Sequence, residues 1–115
     1  MTLKHLNSGD ILSQAVEHAG VIYLAGLTAD DLSADIKGQT RQVLDKIDGI
    51  LRKMGSDKSK LLAATLYFTN IDQKAAANEV WKAWLGSLER PARAGIGVTL
   101  NSPETLIEIM VTAAK

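Results

Sequence analysis

The sequence predicts an α+β fold in which two helices pack on one face of one sheet. Three observations carry that prediction. Two segments show the 3.6-residue apolar period of an amphipathic helix, each with a single apolar stripe. The remaining apolar segments are short and strand-like, and they form an essentially continuous set. The elements run β-β-α-β-α-β-β. A helix with one stripe buries that stripe only, so both helices belong on the same sheet face. The other face is then open in a single chain. Its residues are not uniformly polar, which predicts that another subunit covers it.

Taken in order, "SQAVEHAGVIYLAGLTA" reads as two strands around a turn at His18-Ala19-Gly20. Val21, Tyr23 and Ala25 alternate with Ile22 and Leu24, a run apolar on both faces and therefore expected to be covered on both. The first helix follows. Val43, Leu44, Ile47, Ile50, Leu51 and Met54 fall on one helical face, Asp35 or Ser33 supplies the N-cap, and Gly55 ends it. "KLLAATLYFTN" is a strand rich in β-favouring residues from Thr65 to Thr69. Asn70 or Asp72 then caps a second helix reaching about Leu85, with Ala77, Val80, Trp81, Trp84 and Leu85 as its stripe. "ARAGIGVTL" is the next strand, "NSPE" a turn, and "TLIEIMVTA" the last strand.

With 115 residues, 46% of them hydrophobic, the chain suits one domain over 1–115, small enough that oligomerisation would help its stability. Thirteen basic and thirteen acidic residues cancel, so no strong field draws nucleic acid or an anionic membrane. There is no cysteine, and His5 and His18 lack the spacing of metal ligands, so no metal site is expected. No signal-like or membrane-spanning run is present, which reads as a cytoplasmic protein. Ser13 has no histidine at a useful spacing, and Trp81 and Trp84 read as core.

Two strands are candidates for chemistry. In "RPARAGIGV", Ala94, Ile96, Val98 and Leu100 share one face, which by its apolar character belongs under the helices. Arg93, Gly95, Gly97 and Thr99 share the other, a long cation beside two patches of bare backbone. In the last strand, Ile107, Ile109 and Val111 form an apolar face opposite Glu108, the one charge among them. That parity puts Glu108 and Arg93 on the same, open side. A structural ion pair is the competing account, but a pair needs no empty space beside it, whereas a ligand does. Arginine grips a carboxylate through two parallel hydrogen bonds, and a nearby glutamate can orient a water.

These residues carry a resemblance. "SQAV", "YLAG", "QTRQVLDKIDGILRKMG", "NEVWKAWL", "RPARAGIGV" and "LIEI" together resemble the Rid family, the reactive intermediate deaminases, whose older label is L-PSP endoribonuclease. The resemblance covers nearly the whole chain. It implies a chorismate-mutase-like fold assembled as a homotrimer, with the sheets lining a central barrel and sites at the subunit interfaces. It also implies hydrolysis of 2-imino and enamine acids, such as 2-aminoacrylate or 2-iminopropionate, to keto acids and ammonia without metal or organic cofactor. Carried over by position, Arg93 is the carboxylate clamp and Glu108 holds the catalytic water. Gly26 and Gly95 offer backbone to the ligand, and Asn78 and Trp81 lie at the pocket wall.

There are two departures. Leu12 stands where these deaminases commonly have a tyrosine that reaches the site, and Ala25 replaces a frequent hydroxyl residue. Both make the pocket more apolar. They favour, as alternatives, a larger enamine acid of the 2-aminomuconate type, or a trimer that binds small carboxylates without turnover. The ribonuclease label has no electrostatic footing in a chain of zero net charge.

Overall fold

The structure is a computed structural model, and it describes residues 2–115. Strands β1 (Lys4–Leu6), β2 (Ala15–His18) and β3 (Val21–Leu24) form a meander, and β4 (Leu27–Thr28) leads to helix α1 (Ile36–Lys53). Strand β5 (Leu61–Phe68), helix α2 (Lys74–Leu85), strand β6 (Ala92–Gly97) and strand β7 (Ile107–Ala114) follow. The sheet order is β1-β2-β3-β7-β5-β6, with β4 also pairing β7. Every pairing is antiparallel except β5 with β6, which α2 joins as a crossover. This is the α+β architecture predicted, a mixed sheet with two helices on one face, plus the short strands β1 and β4.

Local chemistry sets the elements. The β2–β3 turn needs left-handed backbone at both central residues, and Ala19 (φ 53°) and Gly20 (φ 80°) supply it. Asp35 caps α1 by accepting from the Gly38 amide at 2.8 Å. Asn70 accepts from the Asp72 amide at 3.0 Å, starting a short 3-10 turn, Ile71–Gln73, that runs into α2. Gly55 (φ 81°) follows α1, and Gly86 (φ 58°) ends α2.

The core lies between sheet and helices. Ile22, Leu24, Ala64, Leu66, Phe68, Ile107, Ile109, Val111 and Ala113 are buried from the sheet side. Val43, Leu44, Ile47, Leu51, Ala77, Trp81 and Leu85 meet them from the helices. Two polar side chains of α1 are fully buried, Gln39 and Thr40, and Thr40 donates to the Ile36 carbonyl of its own helix. Gln39 donates to the carbonyls of Leu32, Ala34 and Glu104 and accepts from the Leu106 amide, at 2.9–3.2 Å. It therefore fastens α1 to the turn that delivers β7.

The opposite face is open in this chain. Tyr23, Ile96 and Met110 are each 42–50% exposed on it. So Tyr23 is not covered as the apolar run had suggested, although Ile22 and Leu24 are.

Candidate active site

The parallel register decides where Arg93 points. Arg93, Gly95 and Gly97 stand beside Ala64, Leu66 and Phe68, all buried beneath the helices. Partners in register share a face, so Arg93 and the two glycines face α2. Their alternates Ala94 and Ile96 face the open side, with Ile96 and Val98 both 42% exposed. This corrects the expected parity of β6. The alternation was read as apolar-inward, but β6 is an edge strand, and its apolar residues look outward where the fold leaves an uncovered surface.

Glu108 does lie on the open side, as its own strand predicted. Its register partner in β5 is Tyr67, while Ile107 and Ile109 beside it are fully buried. Within one chain Arg93 and Glu108 therefore leave the sheet on opposite faces, and they do not form one pocket.

Around Arg93 a half-site is built. The Asn78 side-chain oxygen accepts from the Arg93 guanidinium at 2.5 Å, and the guanidinium carbon lies 5.3 Å from the centre of the Trp81 ring. Asn78 and Trp81 are three positions apart on α2, so they present neighbouring contacts to one strand residue. Trp81 is 4% exposed, hence both core and a platform for the cation. Partial burial lowers the Arg93 pKa from its usual value, yet an arginine stays charged at neutral pH. No carboxylate among the described residues forms an ion pair with it. Next to it, Gly95 is exposed although its register partner Leu66 is fully buried. The point a Gly95 β-carbon would occupy is bordered by the Lys74 stem, the Phe68 ring and the Arg93 guanidinium.

Around Glu108 lies the second half-site. A β-carbon on Gly26 would overlap the Glu108 carboxylate, so the absent side chain is what lets that carboxylate lie there. Thr28 pairs with Glu108 across β4 and β7. Leu12 joins neither group. It is 56% exposed in the loop before β2, beside Ile11 at 93%. The structure thus brings Arg93, Gly95, Asn78 and Trp81 together, brings Gly26 to Glu108, and leaves Leu12 apart.

Two features escaped the sequence reading. Ser13 does have a histidine partner, since its Oγ is 2.9 Å from His5 Nδ1 and 2.7 Å from Ser8 Oγ. The β1–β2 pairing closes an eight-residue separation that no motif spacing marks. No carboxylate among the described residues bonds His5, and this exposed network has the character of a loop brace. The other is Lys74, whose Cδ lies 3.0 Å from where a Gly95 β-carbon would stand. Its signal was present as the i, i+4 spacing to Asn78.

Comparison with known proteins agrees with this frame. The endoribonuclease L-PSP family model matches residues 3–115. A RutC family protein of Haemophilus ducreyi is 38% identical over 102 residues, covering 89% of this chain and 87% of the other. A YjgF-family crystal structure from Neisseria meningitidis superposes with a TM-score of 0.96 at 35% identity, covering 100% of this chain and 96% of that one. The Rid-family protein YyfA of Yersinia pestis gives a TM-score of 0.86 at 31% identity, covering 94% and 90%. The chain therefore belongs to the endoribonuclease L-PSP family, the family also called RutC, YjgF or Rid.

Proposed function

We propose that this protein is a hydrolytic deaminase of small 2-imino and enamine acids, working as a homotrimer whose sites lie between subunits. The observation that carries the reading is Arg93. It is a partly buried guanidinium oriented by Asn78 and Trp81, without a carboxylate partner among the described residues, beside the exposed Gly95 backbone. Holding a charge in such a place costs desolvation, which an anionic ligand offsets through paired hydrogen bonds. The expected ligand is a carboxylate.

Arg93 and Glu108 leave opposite faces of one sheet, so a site using both needs two copies. A neighbour that lays its β6 edge against the open face brings one copy's Arg93 toward another's Glu108. The same contact would cover Tyr23, Ile96 and Met110. A trimer closes such a head-to-tail contact without leaving a free end.

The chemistry asked of the site is modest. Water adds to the carbon of the C=N bond, and the nitrogen takes up a proton. The resulting carbinolamine expels ammonia as its hydroxyl proton is lost, leaving the keto acid. An enamine first takes a proton on carbon to become the imine. Imines hydrolyse in water unaided, so orientation and a placed water are the protein's main contributions. Arg93 fixes the carboxylate end, and Glu108 orients the water and passes its proton.

To test this, the imine is generated with an amino-acid oxidase and its decay followed with and without the protein. Wild type should speed the decay. Arg93→Ala decaying the imine as fast as wild type would overturn the role given to Arg93.

A second reading rests on the exposed apolar pair Ile11 and Leu12. A neighbouring site walled by such residues suits a larger enamine acid of the 2-aminomuconate type. Turnover of that substrate with none of 2-iminopropionate would select it. Keto-acid binding without turnover of either would leave a non-catalytic binding trimer.

A further inference from the structure

We propose that Lys74 is a specificity-determining residue of this site, a second cation that selects short dicarboxylic imino acids over monocarboxylic ones. The proposal rests on the carboxylate-binding reading of Arg93. Its ground is what borders the missing side chain of Gly95. The Lys74 Cδ lies 3.0 Å, and an Arg93 guanidinium nitrogen 3.9 Å, from the point a Gly95 β-carbon would occupy. The Lys74 stem and the Arg93 guanidinium thus border one patch of exposed backbone.

Like charges brought together are unfavourable unless something between them is negative. Among the described residues no carboxylate is paired with either side chain. The positions three and four away along the chain are Asn70, Ile71, Ala77 and Asn78, none of them acidic. Asn78 is already committed to Arg93. A lysine that served only solubility would lie along its own helix or out in water. This one lays its apolar stem across the gap left by Gly95.

The geometry divides the labour by chemistry. Arginine presents a planar fork that fixes one carboxylate in orientation. Lysine is a point charge on a flexible stem, suited to a second carboxylate at a less exact position. With both anchored beside one glycine, the two acid groups of the ligand must lie close, two or three carbons apart. That describes the imines of four- and five-carbon amino diacids and the corresponding keto diacids. A monocarboxylic imine would use Arg93 alone.

The experiment compares Lys74→Met and Lys74→Arg with wild type. Decay of the imines made by oxidase action on glutamate and on alanine is measured. In parallel, calorimetry measures binding of 2-oxoglutarate and 2-oxobutanoate. Wild type should prefer the diacid in each pair. Lys74→Met should lower that preference about tenfold, the scale of one charge-assisted hydrogen bond, and Lys74→Arg should retain most of it. A wild type without the preference, or a preference indifferent to Lys74→Met, overturns the proposal. If no imine is turned over yet 2-oxoglutarate binds with a Lys74-dependent preference, the deaminase reading fails and the selector role of Lys74 stands.

Discussion

On the helix side of the sheet, Arg93 has its supports in its own chain, an acceptor from Asn78 and a ring from Trp81. On the open side, Glu108 has a glycine beside it and little else, with exposed apolar residues around. The first half-site is preorganised by packing, because α2 must bury its stripe against the sheet in any case. The second is presented on a surface that one chain leaves unfinished. The difference suggests a division of tasks. Under the proposed roles, the binding charge would be fixed during folding of the subunit and the group that handles water enclosed only on assembly.

The sharpest way to break this comparison is to damage one face at a time. Phe68 and Met110 lie on adjacent strands but opposite faces, fully buried and 43% exposed respectively. Phe68→Ala should lower subunit stability by about 3–5 kcal/mol, read by urea unfolding at fixed protein concentration. Met110→Glu should leave the far-ultraviolet circular dichroism intact while sedimentation shows smaller species. A Met110→Glu protein that stays fully assembled would mean that the open face is not the interface.

Next in size is a complementation effect. Arg93→Ala and Glu108→Gln should each lose about a hundredfold or more in kcat/KM, the scale of removing a charged contact from a partly dry site. Coexpressed, the two inactive chains should recover about a quarter of wild-type activity, since that share of random interfaces pairs an intact Arg93 with an intact Glu108. Mixtures as inactive as their components would place both residues' work within one subunit, against the geometry of the sheet.

The smallest effect refines the Glu108 side. A methyl group on Gly26 meets the far end of a flexible side chain, so the carboxylate can move aside at little cost to the fold. Gly26→Ala should therefore leave Tm nearly unchanged while lowering kcat about tenfold, as a displaced orienting group does. A drop in Tm with unchanged kcat would assign Gly26 to the fold alone.

Much of this was legible before the structure. The helices showed because their stripes are long, and Asp35 caps α1 as expected, whereas Asn70 caps the 3-10 turn before α2, whose own N-cap, Gln73, makes no side-chain cap bond. Strand β7 was read correctly because Ile107, Ile109 and Val111 contrast with Glu108 between them. Strand β6 was misread for an equally physical reason. Its glycines carry no hydropathy, and its arginine lies with a buried tryptophan, so the alternation of Ala94 and Ile96 was the sole signal. That signal points toward whatever covers the strand, and in β6 what is buried by the subunit's own helices is the side with the arginine. The Ser13–His5 contact was invisible because strand pairing, not sequence spacing, makes it.

Strand β6 is tied to the sheet along one side only, by a parallel ladder to β5. It contains two glycines and is mostly exposed, while β5 and β7 lie inside the sheet. Elements with few buried contacts and solvent-facing amides open locally long before a domain unfolds. The amides of Ala92–Gly97 should thus exchange with solvent faster than those of β7, and slow when a ligand or a neighbour closes over them. If Arg93 anchors an acid as proposed, the lifetime of the bound acid is coupled to the breathing of one edge of the sheet.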